Sequence, residues 1–538
     1  MKKEFSKDSL RVGNGNRKLK NIFIFLFGSV IILLTFFYLF ADIRKVLINT
    51  PDDAAYYYKI VENFIAGMGF SFDGLHQTNG FQPLWAYVLI PFDLLSRSDH
   101  VLKFRVYLVL QELLLCAAGL INYRSIKKLF CELTAIASSL IFFLFVYMQA
   151  LNGMESALLI LLFTVTIYYG VQFNIVEEKR DIINFIFGIL LGLTSLTRLD
   201  MLFLDISLGI SGIFLLVTEK EQIKRIRKYL IILAGFLIII MPYLLSNYIS
   251  TGRFVPISGI LKSSFPVISI NTEYDFTYSQ KFTIIASVLT SLFYLIWFFI
   301  RMIKGLDWNN KKNIFRFSLS VISAAIIMHF LFSIFFMKWG VSGWQFIYFG
   351  MYLALVVSEP AALAAKRLPV KWTAAGLYFF IIVTVLILSS KILSRYNTNV
   401  KESWHAAAYE AALWANSNTK QSDIFAMRDA GIFGFFSNRK VINLDGLVND
   451  LQYQEYLKDR KLNLYLSKNK VRYYVQPVFP ENSGVTEGIY NNYKIGFPSY
   501  EYSAESDSII LFKENEIYRS APYIDKSTKT AFVIWKLN

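Results

Sequence analysis

Two adjacent carboxylates, Asp52 and Asp53, lie where the first hydrophobic run of the chain ends and a polar loop begins. Carboxylates beside a membrane are costly to desolvate. A protein with a purely structural role therefore has little reason to cluster them in this loop. A carboxylate can act as a general base that takes a proton from a hydroxyl group. Neighbouring residues of a helix point to different sides, so we expect one carboxylate to act as base while the other orients it or holds a cation. Capping of the following helix is the alternative, and it requires only one of the two.

A third acidic residue, Glu155, begins a later apolar run. Hard cations such as Mg²⁺, Mn²⁺ and Ca²⁺ bind carboxylate oxygens, so Asp53 and Glu155 are candidate ligands of a divalent cation. Glu155 also has a structural interpretation, because a carboxylate at the start of a helix stabilises the positive end of the helix dipole. The sequence leaves both interpretations open.

The elements that position these residues are membrane helices. The chain has 538 residues, of which 55% are hydrophobic and only 17% are charged, whereas a soluble globular protein has about a quarter charged residues. The apolar residues are concentrated in runs of about 17–25, the length that crosses a bilayer as a helix. We predict about eleven spans, at 21–41, 102–122, 133–150, 155–173, 182–197, 200–217, 229–249, 282–300, 314–337, 343–358 and 372–391. The segment 84–96 is shorter and follows Pro83, so we expect an interfacial helix there.

The distribution of charge orients these spans. The net charge is +16, and it is concentrated in alternate short loops, as the positive-inside rule requires of loops in the cytoplasm. This pattern accounts for the charge without a nucleic-acid partner. It places the basic segment 1–20 in the cytoplasm and the loop 42–101 outside the cytoplasmic membrane. An odd number of spans places residues 393–538 outside as well.

The polar C-terminal part is predicted to be a small α/β domain at 393–538. A helix is expected at Glu402–Asn416, short buried strands at Ile424–Met427, Val441–Leu444 and Val471–Val475, and further strands from Tyr490 onward. The two cysteines, Cys116 and Cys131, lie in or beside predicted spans, so they indicate neither a disulfide framework nor a metal knuckle.

The residues of the first outer loop match a family pattern. The matching elements are Asp52-Asp53-Ala54, Tyr56–Tyr58, Asn63, Gly67-Met68-Gly69 and Thr78–Trp85. The loop resembles the first outer loop of the GT-C class of membrane glycosyltransferases, most closely of bacterial members that have an Asp-Asp-Ala loop. Further elements resemble the family in the same order: Asn152–Leu158, Thr197–Asp200 with Leu199 in place of a proline, Pro256–Lys262, Asp429–Ser437 and Asn443–Asn449.

The resemblance implies an inverting transfer of a sugar from a polyprenyl-phosphate donor to an acceptor at the outer face, where the acceptor is a glycan, a lipid or a protein. Asp52 or Asp53 would be the base, and Arg198 and Lys262 would bind the donor phosphate. Apart from the resemblance, the charge-based topology places Lys338 at the outer face as a weaker third cation. The implied substrate-contacting residues are Tyr57, His76, Asn79, Gln82 and Trp85. Some members of the class use a metal, which would bind at Asp53 and Glu155.

Each of these residues also has a structural interpretation. Arg198 and Lys262 are in place to contact lipid headgroups, and a lone loop histidine such as His76 is more often solvated than functional. Aromatic residues such as Tyr57 and Trp85 are typical of any membrane interface. For Asp429 and Asp445 in the C-terminal domain we favour capping of a helix and a turn over contact with the acceptor.

Two other functions compete with glycosyl transfer. A transporter or lipid flippase with an outer binding domain would place ionisable residues near the bilayer midplane and would show two related halves. The acidic residues here lie at the boundary of the first span, and the hydropathy has no twofold repetition. A sensor with an outer binding domain accounts for the C-terminal part of the chain but not for Asp52 and Asp53.

Overall fold

The computed structural model describes residues 2–96, 99–218, 222–304, 306–478, 492–499, 504–525 and 528–537. The side chains of residues 2–17, which include most of the basic N-terminal segment, lie outside this description, as do Arg97 and Lys220.

The described residues up to Asn397 are mainly helical. These helices are α1 (Lys2–Phe40), α2 (Ile43–Ile48), α3 (Asp53–Ile65), α4 (Pro83–Ser96), α5 (His100–Leu129), α6 (Glu132–Phe142), α7 (Met148–Ala150), α8 (Ser156–Gln172), α9 (Asp181–Thr197), α10 (Leu202–Thr218), α11 (Gln222–Thr251), α12 (Ile257–Lys262), α13 (Tyr278–Lys304), α14 (Lys311–Phe335), α15 (Ile347–Val356), α16 (Ser358–Arg367) and α17 (Val370–Asn397). A π-helical turn, Phe143–Tyr147, joins α6 to α7. Two short strands, β1 (Tyr274–Asp275) and β2 (Val341–Ser342), pair in parallel.

Within the described residues, nine helical segments are long and apolar enough to cross a membrane. The other two predicted spans coincide with α8 and α9, which have 17 residues each. The predicted interfacial segment is α4, a helix of 14 residues. The chain is therefore a multi-pass membrane protein. The hydropathy of the sequence predicted these helices correctly, because an apolar segment in lipid must satisfy its backbone hydrogen bonds internally and therefore forms a helix.

The basic loops gather at one end of the helix bundle. Gln172, at the end of α8, accepts hydrogen bonds from Lys128 Nζ at 3.0 Å and Lys311 Nζ at 3.1 Å. Nearby, Arg225 at the start of α11 bonds to Glu177 at 3.0 Å. These contacts join loops that the charge pattern assigns to a common side.

The C-terminal part is an α/β domain, as predicted. Its helices are α18 (Trp404–Asn418), α19 (Gly431–Phe436), α20 (Leu451–Lys458) and α21 (Leu462–Lys468). Its strands are β3 (Ile424–Met427), β4 (Lys440–Asn443), β5 (Val471–Val478), β6 (Asn492–Ser499), β7 (Ala504–Phe512), β8 (Glu516–Arg519), β9 (Tyr523–Asp525) and β10 (Thr528–Lys536). The predicted helix and the three predicted inner strands correspond to α18, β3, β4 and β5.

One six-stranded sheet organises this domain, which we call the outer domain after the side of the membrane on which the sequence predicts it. The strand order is β4-β3-β5-β10-β8, and β9 pairs with β10. Strand β3 runs parallel to both β4 and β5, whereas β10 is antiparallel to β5. A core of fully buried side chains, among them Ala426, Tyr474 and Trp535, lies on the sheet. Strands β6 and β7 form a separate antiparallel hairpin.

The outer domain is docked on the loop between α1 and α5. Helix α19 packs against α3, and Thr78 Oγ1 donates a hydrogen bond of 3.1 Å to the carbonyl oxygen of Asn449. Gly80 lies so close to the domain that a Cβ atom at this position would be 1.7 Å from the Leu447 carbonyl oxygen. The loop 42–101 and the outer domain therefore lie at the same end of the bundle, in agreement with the prediction that both are on one side.

Candidate functional site

A large cavity of about 1210 Å³ lies where the loop, the helix ends and the outer domain meet. Its polar lining includes Asp53, Tyr57, Gln82, Glu155, Arg198, Asp200, Arg253, Lys262, His329 and Lys338. Its apolar lining includes Phe203, Ile206, Leu244, Phe254, Val267, Ile268 and Phe332. Several of these apolar residues belong to membrane helices α10, α11 and α14. The cavity thus has a charged region that continues into an apolar region between membrane helices.

Asp53 is the acidic residue of the first loop that faces this cavity. It is the first residue of α3 and is partly buried. No side chain or backbone group of the described residues donates a hydrogen bond to its carboxylate. Burial raises the pKa of Asp53, the charges of Asp445 and Glu155 raise it further, and the charge of Lys262 lowers it. A carboxylate with a raised pKa and a free lone pair is suited to accept a proton.

Asp52 has a different environment. Its two carboxylate oxygens accept hydrogen bonds from the backbone N–H groups of Gly431 and Ile432, each at 2.7 Å. These are the first two residues of α19, so Asp52 caps a helix of the outer domain and makes no side-chain cap bond to its own helix. A Cβ atom at position 431 would lie 2.2 Å from the Asp52 carbonyl oxygen. Only glycine allows this close approach.

Glu155 is held by two partners at the cavity wall. Its Oε2 accepts a hydrogen bond of 2.7 Å from the Tyr57 hydroxyl, and its Oε1 lies 3.0 Å from Arg198 Nη1. Arg198 also bonds to Asp200 at 2.5 Å and to the carbonyl oxygen of Trp344 at 3.2 Å. Arg198 as a whole is buried, at 5% exposure. Although its burial lowers the pKa of Arg198, the charges of Asp200 and Glu155 outweigh this and raise it.

The donor set at Asp53 and Glu155 fits a divalent cation poorly. Both oxygens of Glu155 already accept a bond from Arg198 or Tyr57, which leaves the Asp53 carboxylate as the available acidic ligand of the predicted pair. In the part of the chain that the structure describes, no group of three or more His, Cys, Asp or Glu side chains is arranged to hold a metal ion. The metal site stays a prediction, and no step below depends on it.

Lys262 is the last residue of the short helix α12 and faces the cavity. Its ammonium group forms no ion pair or hydrogen bond with a described side chain. Helix α12 is held in place by the Ile257 N–H, which donates to Asn79 Oδ1 at 3.0 Å, and by a cluster of Ile257, Leu261 and Leu447. The outer domain therefore helps to position the lysine.

The other predicted contact residues divide into two groups. Tyr57 and Gln82 line the cavity. Asn79 lies behind it and bonds to α12, and the fully buried Trp85 donates from Nε1 to the Gly153 carbonyl oxygen at 3.3 Å. His76 Nδ1 lies 2.6 Å from Asp73 Oδ2, and its ring stacks on Tyr465 with a centroid distance of 5.9 Å. Asn79, Trp85 and His76 are therefore placed as supporting residues that do not line the cavity.

Two groups of contacts were not apparent in the sequence. The hydroxyl of Tyr56 donates to Asp445 Oδ2 and accepts from the Ala430 N–H and from Asn443 Nδ2, at 3.1 Å in each case. Leu447 and Val448 of the outer domain line the cavity. The family-like elements Tyr56–Tyr58, Asp429–Ser437 and Asn443–Asn449 contain these residues but did not indicate that they meet. Within the last of them Asp445 also accepts from the Leu447 N–H, as the predicted turn requires.

The comparisons with known proteins concern the fold. A family model described as a domain of unknown function (DUF8728) matches residues 396–519, which begin at the end of α17 and continue into the outer domain. No curated protein matches the sequence.

Solved structures match most of the chain. ArnT from Cupriavidus metallidurans bound to undecaprenyl phosphate is similar, with a TM-score of 0.53 and 10% identity over 94% of this chain and 98% of that one. The apo form of the same protein gives a TM-score of 0.51 and 12% identity over 89% and 93%. The archaeal oligosaccharyltransferase AglB from Archaeoglobus fulgidus, in complex with an inhibitory peptide and a dolichol-phosphate, gives 0.50 and 11% over 85% and 69%.

The chain has a GT-C-like fold. It is a polytopic helical membrane protein with a C-terminal α/β domain, as predicted. At these identities the similarity establishes architecture alone, and the chemistry must be argued from the residues of the cavity.

Proposed function

We propose that this protein is a membrane glycosyltransferase that moves a sugar from a polyprenyl-phosphate donor to an acceptor hydroxyl at the extracytoplasmic face of the cytoplasmic membrane. The observation that carries the proposal is a cavity that continues between membrane helices and is faced by the Asp53 carboxylate and the Lys262 ammonium group, neither of which has a hydrogen-bond or ion-pair partner among the described side chains. A base, a phosphate-binding cation and an apolar groove are the three elements that this reaction requires.

Asp53 would be the base. A sugar or lipid hydroxyl is a weak nucleophile, and removal of its proton as the new bond forms makes the attack feasible. The raised pKa of Asp53 makes this carboxylate a stronger proton acceptor than an ordinary aspartate while it is ionised. Because Asp52 and Glu155 already accept hydrogen bonds through both of their carboxylate oxygens, Asp53 is left as the base, and a single displacement with inversion is the expected course.

Lys262 would bind the donor phosphate. The departing phosphate carries negative charge, which a cation facing it stabilises. Arg253 and Lys338 line the same cavity and add positive charge. The terminal nitrogens of Arg198 bond to Glu155, Asp200 and Trp344. We therefore assign Arg198 chiefly to the wall of the site, where it orients Glu155 and adds its charge to that of Lys262.

The apolar part of the cavity would hold the first isoprene units of the donor. Phe203, Ile206 and Phe332 lie on membrane helices next to the charged region. A lipid-linked donor can diffuse to this cavity within the membrane, so the reaction needs no soluble nucleotide sugar outside the cell. The undecaprenyl phosphate in ArnT and the dolichol-phosphate in AglB give independent support for a lipid carrier.

Lipid analysis of the purified protein tests this proposal. Mass spectrometry of lipids that co-purify with the wild-type chain should detect a polyprenyl phosphate or its glycosylated form. The variant Lys262→Gln should retain several-fold less of this lipid, whereas Lys281→Gln, which changes the same charge outside the cavity, should retain as much as the wild type. Absence of any polyprenyl lipid from wild-type protein, together with no binding of added undecaprenyl phosphate, would refute the donor assignment.

A further inference from the structure

The outer domain contains a second cavity that the proposed reaction does not use. It has a volume of about 570 Å³ and lies between α21 and strands β5, β7 and β10. This volume falls within the range of about 300–1,000 Å³ that small-molecule sites occupy. None of its lining residues also lines the cavity that holds Asp53. It is therefore a separate candidate site.

Positive charge faces this second cavity. Lys470, Arg472 and Lys536 line it, and the described lining residues include no acidic residue. Arg472 is partly neutralised by Asp423, which lies 2.9 Å away. Lys470 and Lys536 are exposed and form no ion pair or side-chain hydrogen bond with a described residue. Two like charges that share a cavity without a counter-charge favour the binding of an anion.

The surface is also basic on the α21 side of this cavity, whereas the segment after β7 on the other side contains Glu514 and Glu516. The segment 458–472 contains six basic residues and one acidic residue, Asp459. All six basic side chains are exposed, and Lys461 pairs with Asp459 at 2.9 Å. The positive field therefore extends beyond the cavity along α21, which favours an extended ligand with several negative charges over a single small anion.

The uncharged lining is suited to sugars. Asn463, Ser467 and Asn515 supply amide and hydroxyl groups that can bond to sugar hydroxyls. Phe512 and Ile510 at the rim are 41% and 53% exposed, so they offer apolar surface to the C–H faces of a sugar ring. The floor is closed by buried side chains such as Leu466 and Trp535.

We infer that this second cavity binds a segment of an anionic glycan, one that carries carboxylate or phosphate groups. The ammonium groups of Lys470 and Lys536 bind the negative groups, and the neutral side chains bind the sugar hydroxyls. Such a site would hold an acceptor or product chain on the outer domain while the reacting end is elsewhere. The binding itself does not depend on the transfer reaction, so either hypothesis can fail without the other.

Direct binding measurements test this inference. The detergent-solubilised full-length protein is titrated with a fluorescent short oligogalacturonate, with its methyl-esterified neutral form and with a glycerol phosphate oligomer. We expect the wild type to bind at least one of the charged probes and to bind the neutral form far more weakly. The two charged probes distinguish carboxylate from phosphate recognition.

The variants locate the site. Lys470→Glu/Lys536→Glu should weaken binding of the charged probe by at least about tenfold, because two charge-assisted contacts become repulsive. Lys401→Glu/Lys420→Glu makes the same change in net charge on exposed lysines of this domain outside the cavity, and it should change the Kd by less than about twofold. Lys470→Gln/Lys536→Gln repeats the test if charge reversal disturbs folding. The inference is overturned if no charged probe binds the wild type, if both charge-reversed pairs lose affinity equally, or if folded cavity variants bind as the wild type does.

Discussion

At the residue scale, two neighbouring aspartates have separate tasks. Asp52 gives both oxygens to the first turn of α19, while Asp53 faces the cavity with no hydrogen bond from the described residues. Side chains at adjacent helix positions point to different sides, so the sequence predicted that the two aspartates would have different surroundings. The sequence could not predict which aspartate faces the cavity, because the hydrogen-bond partners of Asp52 are 379 and 380 residues away in the chain.

Asp52 is predicted to stabilise the docking of the outer domain. In Asp52→Asn, one amide oxygen replaces two carboxylate acceptors, which should cost about 1–2 kcal/mol as the loss of a cap does. We expect a lower Tm and faster proteolytic release of the outer domain, with transfer retained by the folded fraction. The control Asp459→Asn removes an exposed carboxylate and should leave the Tm unchanged. Loss of transfer in Asp52→Asn at an unchanged Tm would instead make Asp52 the base.

Lys262 is predicted to tune the pH dependence of transfer. Asp53 acts as base only when it is ionised, so the rate should fall as pH falls through its pKa, which burial holds above the ordinary value. The charge of Lys262 lowers this pKa, so Lys262→Gln should move the acid limb of kcat/KM to higher pH. Lys338→Gln removes a charge from the same cavity and should shift the limb less. An acid limb that stays in place in Lys262→Gln would contradict the pairing of Asp53 with Lys262.

At the element scale, three helices hold the turn that carries Glu155. The Gly153 carbonyl oxygen accepts from the Tyr58 hydroxyl of α3 at 2.9 Å and from Trp85 of α4 at 3.3 Å. Gln111 of α5 accepts from the Gly153 N–H at 2.8 Å and donates to the Met154 carbonyl oxygen. The sequence motif indicated the turn, but its supporting residues come from separate helices and could be found only in the folded chain.

The turn is predicted to require glycine at position 153. Gly153 has a φ of +78°, and a Cβ atom there would lie 2.6 Å from Ala54 Cβ and 2.8 Å from the Tyr58 hydroxyl oxygen. Gly153→Ala should therefore destabilise the protein by about 1–3 kcal/mol and reduce transfer, because Glu155 and Arg198 shift with the turn. Gly209→Ala lies in α10, where the added Cβ would have no described atom within 4 Å apart from its chain neighbours and the backbone of its own helix, and it should be neutral or slightly stabilising. Equal thermal stability of the two variants would show that the turn is not rigid.

At the scale of the whole molecule, the predictable features are those that the membrane imposes. The long apolar helices could be predicted from composition, because backbone groups in lipid must find their hydrogen-bond partners within the helix. The common side of the basic loops could be predicted from the positive-inside rule. The change in composition predicted a domain boundary near residue 393, whereas α17 continues to Asn397. The docking of the outer domain on the loop was not found, because it rests on close contacts such as that between Gly80 and Leu447.

The orientation in the membrane is tested by labelling. In a background of Cys116→Ser and Cys131→Ser, single cysteines at the exposed positions Leu75 and Ser417 should react with a membrane-impermeant maleimide on intact cells. A cysteine at the exposed Asn309, at the opposite end of the bundle, should react only after permeabilisation. Labelling of Asn309 from outside, with protection of Leu75, would place the cavity in the cytoplasm and remove the case for a lipid-carried donor.

The central claim is that Asp53 removes the proton from the acceptor. The most direct measurement compares sugar transfer from a polyprenyl-phosphate sugar by wild-type protein and by Asp53→Asn at matched Tm and matched retention of the lipid donor. We predict that Asp53→Asn binds the donor but loses transfer by at least about a hundredfold, as expected when a general base is removed. Transfer at the wild-type rate in a folded, donor-bound Asp53→Asn protein would contradict this account.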